Sequence, residues 1–210
     1  MIAGDVSDRA YRLALLGGVL VILAWSGWQP KDTFTWFLEV APVLIGLPLL
    51  ILTFPRFPFT FLAYALLALH AAILMVGGHY TYAEMPLFNW LRDALDLSRN
   101  HYDRLGHVAQ GFIPAIVVRE VLLRRSPLQP GKWLFFLVTS VCLAISACYE
   151  FIEWWVALAS GDDAAAFLAT QGDVWDTQWD MFLALCGAII SQSLLARIHD
   201  RQLAALGRKC

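Results

Sequence analysis

Between Phe34 and Val76 the chain reads FTWFLEVAPVLIGLPLLILTFPRFPFTFLAYALLALHAAILMV, a stretch in which only Glu39 and Arg56 are charged. A helix needs about 20 apolar residues to cross about 30 Å of hydrocarbon. The stretch therefore predicts two spans, Phe34 to Phe54 and Phe57 to Val76, joined at the Pro-containing turn Phe54 to Pro58. Pro42 and Pro48 fall inside the first of these and predict a kink, tolerated in a membrane where neighbouring helices satisfy the freed carbonyls. Working outward, the same pattern predicts Tyr11 to Trp28 before this pair, and Asp103 to Leu123, Trp133 to Leu158 and Asp176 to Ile198 after it. The expected fold is all-α: a polytopic integral membrane protein of about six transmembrane helices, with residues 1–210 as one membrane domain.

Composition agrees. Of 210 residues, 59% are hydrophobic and 15% charged, against about 45–50% and about 25% in a soluble domain. No basic patch suggests nucleic acid, so membrane lipid is the expected partner. Cys142, Cys148 and Cys186 lie in apolar runs and Cys210 ends the chain, which gives no pair for an outer-loop disulfide. The first apolar run lacks a small-residue cleavage site and reads as a retained span.

Two longer connections hold most of the remaining polarity. From Gly77 to Tyr102, Pro86 opens a run with Leu87, Phe88, Trp90, Leu91, Leu95 and Leu97 around Arg92, Asp93 and Asp96. That pattern predicts a short amphipathic helix at the interface. From Ser160 to Trp175 there are Asp162, Asp163 and Asp173 and no basic residue; Asp162 and Asp163 read as solvated loop. The side holding both termini carries Arg9, Arg12, Arg56, Arg119, Arg124, Arg125, Lys132, Arg197, Arg201, Arg208 and Lys209, while the other carries Lys31, Arg92, Arg99 and Arg104. Eleven against four predicts cytoplasmic termini and outward-facing long loops. Trp25, Trp28, Trp36, Trp90, Trp154, Trp155, Trp175 and Trp179 form the expected outer aromatic belt, with Trp133 alone at the inner interface.

The outer ends of the last three spans are acidic. Asp103 and His107 are four apart, Glu150 and Glu153 three apart, and Asp176 and Asp180 four apart, so each pair shares a helix face. A carboxylate at membrane depth is costly unless it faces a protein interior or cavity and has a partner. Arg104 is the one strong cation expected nearby, with His107 as a second charge; too few cations remain for all the acids. Protonation, water or a bound metal must account for the rest. Asp103, His107, Glu150, Glu153, Asp176 and Asp180 are candidate ligands for Zn²⁺, Mn²⁺, Mg²⁺ or Ca²⁺. Glu150 and Asp180, the deepest acids, are the candidate catalytic residues beside a metal-activated water. Plainer roles compete: Asp173 or Asp176 as a helix cap, Asp103 as an ion-pair partner of Arg104 or His107, Glu153 as an interfacial residue, and Glu39 and His70 as structural residues. His79, Tyr80, Tyr82 and Glu84 could close over a cavity as a lid. The inner half offers little beyond Glu120 and terminal basic residues.

The runs Arg99-Asn100-His101-Tyr102-Asp103-Arg104-Leu105-Gly106-His107, Tyr149-Glu150-Phe151-Ile152-Glu153-Trp154-Trp155 and Thr170-Gln171-Gly172-Asp173-Val174-Trp175-Asp176-Thr177-Gln178-Trp179-Asp180 carry a resemblance to the YjdF-like bacterial inner-membrane proteins. The resemblance spans nearly the whole chain. It implies a multi-pass protein of the bacterial inner membrane and supplies no reaction. More distantly, the chain resembles VanZ-like membrane proteins, associated with tolerance to glycopeptide antibiotics; Asp103, His107, Glu150, Asp176 and Asp180 are the matching positions. It departs from that pattern in having Glu153 where Gln is usual and no Asn after Asp180. That resemblance implies a lipid-linked or envelope substrate.

No His-Glu-x-x-His, Gly-x-Ser-x-Gly, P-loop or Gly-x-Gly-x-x-Gly occurs. The leading expectation is a metal-dependent hydrolase or transferase acting on a lipid or envelope precursor at the outer leaflet. A proton- or cation-coupled transporter and a metal-stabilised structural or envelope-stress protein are the alternatives.

Overall fold

The computed structural model describes residues 3–161 and 165–207. The protein is an all-α polytopic membrane protein, with no strand among the described residues. Six helices are long and apolar enough to cross a membrane: α1 (Ala3–Ser26), α2 (Thr33–Thr53), α3 (Phe61–Tyr80), α5 (Tyr102–Arg125), α6 (Lys132–Ser160) and α8 (Asp176–Gly207). Short helices α4 (Pro86–Ala94) and α7 (Ala165–Leu168), with a 3-10 turn at Tyr82–Glu84, occupy the two longer connections. Leu87 and Trp90 of α4 are exposed and Phe88 packs edge-on against Tyr102, as an interfacial amphipathic helix requires.

Local chemistry sets the helix ends. Asp32 caps α2 by accepting the Thr35 N–H at 2.6 Å, and Thr60 caps α3 by accepting the Ala63 N–H at 3.3 Å. The third span thus begins four residues later than its apolar run and continues through Gly77 and Gly78, which sequence placed in a loop. These glycines serve packing: a Cβ on Gly77 would lie 2.0 Å from the Tyr82 ring, and one on Gly78 3.2 Å from Glu39 Cβ. α8 runs nine residues past the expected end at Ile198. Trp36 departs from the expected belt, turning inward to donate to Ser26 Oγ at 3.2 Å, whereas Trp28, Trp90, Trp154, Trp155 and Trp175 are exposed.

The tightest crossing joins α5 to α8. A Cβ on Gly111 would meet the Ala184 carbonyl oxygen at 1.8 Å, and one on Gly187 the Val108 carbonyl oxygen at 2.2 Å. Small residues let two backbones touch in the way membrane helices associate without a hydrophobic drive from water. α6 packs across this pair through Leu134, Val138 and Cys142. On the other side, α1 and α2 each pack on α3; they meet each other near Val19, Trp36 and Val40, toward the end where Ser26 and Trp36 are bonded.

A second polar layer, which sequence placed at little more than Glu120, lies at the face carrying the termini. Glu120 accepts from Thr60 N (3.1 Å), Thr60 Oγ1 (2.8 Å), Arg124 (2.7 Å) and His199 Nε2 (3.1 Å). Arg119 donates to His199 Nδ1 at 2.9 Å and pairs with Asp200 at 2.7 Å. Glu120, Arg119, Arg124 and Asp200 each have a partner, so the layer locks α5, α8 and the start of α3 together.

Candidate metal centre

The α5–α8 crossing positions the site. His107 and Asp180 each lie four residues, one helical turn, before the touching positions Gly111 and Ala184. His107 Nε2 is 3.4 Å from Asp103 Oδ1 and 3.8 Å from Asp180 Oδ1. Its Nδ1 is 3.1 Å from Gln110 Oε1, and donation to that oxygen turns the Nε2 lone pair toward the acids. Donor atoms of Asp103, His107 and Asp180 all lie within 4.8 Å of one another, as do those of His107, Glu150 and Glu153. Ligand atoms that surround one ion at about 2.0–2.6 Å are at most roughly 4–5 Å apart, so both sets fit a divalent cation. The two sets share His107 and draw on α5, α6 and α8.

The polar atoms are unusually bare. Asp103 Oδ2, Glu150 Oε1, Asp180 Oδ1 and the hydroxyl of Tyr149 are buried without a hydrogen-bond partner, and the buried Tyr82 hydroxyl faces Glu39. Asp103, Glu150 and Asp180 are 5%, 6% and 2% exposed, so bulk water does not serve these atoms. Native interiors leave few such groups unpaired, and several together mark a place for a ligand.

Arg99 takes the part expected of Arg104. Its buried guanidinium pairs with Asp176, lies 3.6 Å from Asp103 and 3.5 Å from Asp173, and donates to the Ala169 carbonyl at 3.1 Å. Arg104 pairs instead with Asp173 at 2.8 Å and covers the Trp179 ring. Asp173 also accepts the Trp175 N–H at 3.0 Å, a turn just ahead of α8. Even so, the acids outnumber the cations. Asp103, Asp173, Asp176, Asp180, Glu150, Glu153 and Glu39 face Arg99, Arg104 and the His107 imidazole.

A roof covers this cluster. Gln171 and Asn100 exchange side-chain and backbone hydrogen bonds at 2.9 Å, stitching the two long connections together. Phe167 and Ala169 are buried beneath the roof, and Ala169 and Gln171 adopt φ of 49° and 50°, a left-handed conformation that strains non-glycine residues. His101 begins α5 outside the cluster; partial burial, then the Arg104 and Arg99 guanidiniums, hold its imidazole below the ordinary range.

The family model described as "Predicted membrane protein (DUF2238)" matches residues 11–201. The chain belongs to this family. It is 53% identical over 187 residues to a protein of Escherichia coli (strain K12) described as inner membrane protein YjdF, covering 89% of this chain and 90% of that one. No solved structure matches.

Of the six residues expected as ligands in this DUF2238 chain, the structure brings Asp103, His107, Glu150, Glu153 and Asp180 into the two overlapping sets and leaves Asp176 with Arg99. Asp162 and Asp163 lie outside the described residues. Glu39, read from sequence as structural, is 2% exposed and within electrostatic reach of Asp103 and His107. His70 lies elsewhere, in a cavity between α1, α2 and α3. Of the residues imagined as a lid, Glu84 pairs with Lys31 at the surface and His79 donates to the Ser26 carbonyl at 3.0 Å, against Trp25. Only Tyr82 reaches the cluster's wall. Burial, then nearby Glu39, pushes its hydroxyl well above the ordinary range, which keeps it a hydrogen-bond donor. Tyr82 and Tyr149 had one signal in the sequence: Tyr149 stands four residues before Glu153 and so on its face.

Proposed function

We propose that the cluster is a divalent-cation site, and that the protein is a metal-dependent hydrolase or transferase of the bacterial inner membrane acting on a lipid-linked or envelope precursor. The observation that carries the reading is the set of buried oxygens of Asp103, Glu150 and Asp180 that make no hydrogen bond, gathered around the His107 imidazole. Buried carboxylates in excess of their counter-charges are strongly unfavourable, and a cation of charge two offsets several at once. Carboxylate oxygens with one imidazole suit Zn²⁺, Mn²⁺, Mg²⁺ or Ca²⁺. Such an ion supplies a polarised substrate oxygen or an activated water. Asp103, His107 and Asp180 would hold it, and Glu150, across from them on α6, would accept the proton of the attacking group, with Asp180 as a second candidate for that role. The Tyr82 and Tyr149 hydroxyls are placed to donate to developing negative charge.

A lipid-linked substrate is supported by the exposed tryptophans Trp90, Trp154, Trp155 and Trp175 at this end of the helices, which suit an interface, and by the VanZ-like disposition of the acids. With the termini cytoplasmic, as the basic-residue bias argues, the site lies at the level of the outer leaflet. A transporter is less well supported. Along α5 the thirteen-residue step from His107 to Glu120 is about 20 Å, and Ile113, Ala115 and Ile116 fill it with apolar packing rather than a relay.

The test is elemental analysis of detergent-purified wild-type protein, followed by melting with and without a chelator. Near-stoichiometric metal and a chelator-sensitive melt support the reading. A metal-free protein whose melt ignores all four added cations removes the metal, and the acids must then share protons. Bound metal with no turnover of lipid-linked phosphates leaves the ion a structural role.

A further inference from the structure

At the opposite end of the molecule from the acids, α1 and α2 diverge. Between them, against α3 and the end of α8, lies a cavity of about 1470 Å³, larger than the about 300–1,000 Å³ of small-molecule pockets. Its walls are almost wholly apolar. α3 lines it from Phe61 to Leu74, about 20 Å of helix at 1.5 Å per residue, comparable with one leaflet's share of the about 30 Å hydrocarbon layer. The packing does not close it: a Cβ on Gly46, one of its lining residues, would meet nothing within 4 Å.

The arginines are confined to one end, with Thr60 and Gln202 beside them, and the His70 imidazole is the one polar lining group farther along α3 among the described residues. Arg9 and Arg12 stand at the end nearest the termini, and no carboxylate occurs among the described lining residues. The Arg12 guanidinium lies 5.6 Å from the Phe54 and Tyr64 ring centroids, held there by cation–π attraction. Its Nε is buried without a hydrogen-bond partner. Arginine's fork matches phosphate oxygens, and its attraction to them is strongest where water is scarce.

From this geometry we infer that the groove between α1, α2 and α3 binds an anionic phospholipid from the leaflet on the side of the termini, its phosphate held by Arg9 and Arg12 and an acyl chain lying past Gly46. The occupant must be an amphiphile with one anionic end and a long apolar body, because the groove is charged at one end and apolar along one leaflet's depth. A water-soluble phosphate would leave the apolar walls uncovered. A second copy of the chain would have to bring an acid to this end and apolar surface to the remainder. The site is independent of the proposed metal centre, from which the helices separate it.

The experiment is native mass spectrometry of the full-length protein released from detergent, titrated with dioleoyl phosphatidylglycerol or dioleoyl phosphatidylcholine. One lipid adduct is expected, with the anionic lipid preferred about tenfold, the range of charge-assisted hydrogen bonds to phosphate. Arg9→Ala with Arg12→Ala should abolish the preference and keep weak binding of both lipids. Gly46→Phe should abolish the adduct by filling the groove. Both variants should elute from gel filtration as wild type and keep its metal content. Equal binding of the two lipids by wild type overturns the inference, whether or not the variants fold. So does an adduct that survives in folded Gly46→Phe, or a lipid-free dimer cross-linked through this groove.

Discussion

Gly111→Ala tests whether the helix crossing sets the proposed metal centre. The added methyl carbon would lie 1.8 Å from the Ala184 carbonyl oxygen, and real contacts of that kind essentially never fall below 3.0 Å. The backbones must therefore part by about 1.2 Å, since neither is a side chain that can swing away. His107 and Asp180 stand one turn away on the separating helices, so their 3.8 Å approach grows to about 5 Å. Metal ligands tolerate about 0.2 Å. The variant should thus melt with a loss of roughly 1–3 kcal/mol from overpacking, retain little metal by elemental analysis, and respond no longer to chelator. Gly187→Ala starts from 2.2 Å and should show the same defects in milder form. Gly46→Ala meets nothing within 4 Å and should melt like wild type or slightly higher. A folded Gly111→Ala protein with full metal content and wild-type chelator response would refute the reasoning.

Glu150→Gln and Asp180→Asn should each lower metal content and blunt the chelator effect, which for a ligand at a hundredfold excess over its Kd is worth about 2.7 kcal/mol; Asp163→Asn should do neither, by the same assays. Arg99→Met leaves Asp103, Asp173 and Asp176 without their shared cation, and losing one partner of a buried ion pair costs about 3–5 kcal/mol, read as a melting point lower by on the order of 10 °C. Cysteines placed at Glu84 and Asp163, in a background with the native cysteines replaced, should react with an impermeant thiol reagent on intact cells; labelling only after lysis would reverse the proposed orientation.

The spans were legible because lipid imposes a one-dimensional rule: length and apolarity suffice, and no partner need be known. The acidic pairs were legible for a related reason, since spacing fixes a shared face before any packing is known. What sequence missed depended on contacts between distant segments. Gly77 and Gly78 look like loop residues, but they are helical; Gly77 makes room for Tyr82, and Gly78 for Val40 and Glu39 of α2. Arg104, adjacent to Asp103, was the obvious counter-ion; yet successive helical residues point apart, and Arg99 reaches Asp103 and Asp176 from the turn before α5. Glu120 and His199 are 79 positions apart, so no local pattern announces their hydrogen bond. Glu39 looked isolated because its neighbours are supplied by α3, α5 and α6.

The α5–α8 crossing has a consequence for biogenesis. Asp103 and His107 are synthesised well before Asp180, which lies on the 32-residue α8. Until that helix leaves the insertion machinery, the surface around Gly111 has no neighbour, and the acids of α5 and α6 sit in a half-built bundle where lipid can reach them. α8 is the keystone of the assembly: its docking closes the backbone contact at Ala184, completes the ligand set and joins Glu120 to His199 in one event. A nascent chain stalled before Asp176 would leave the carboxylates of α5 and α6 without the groups that α8 brings to them, a costly state within the bilayer.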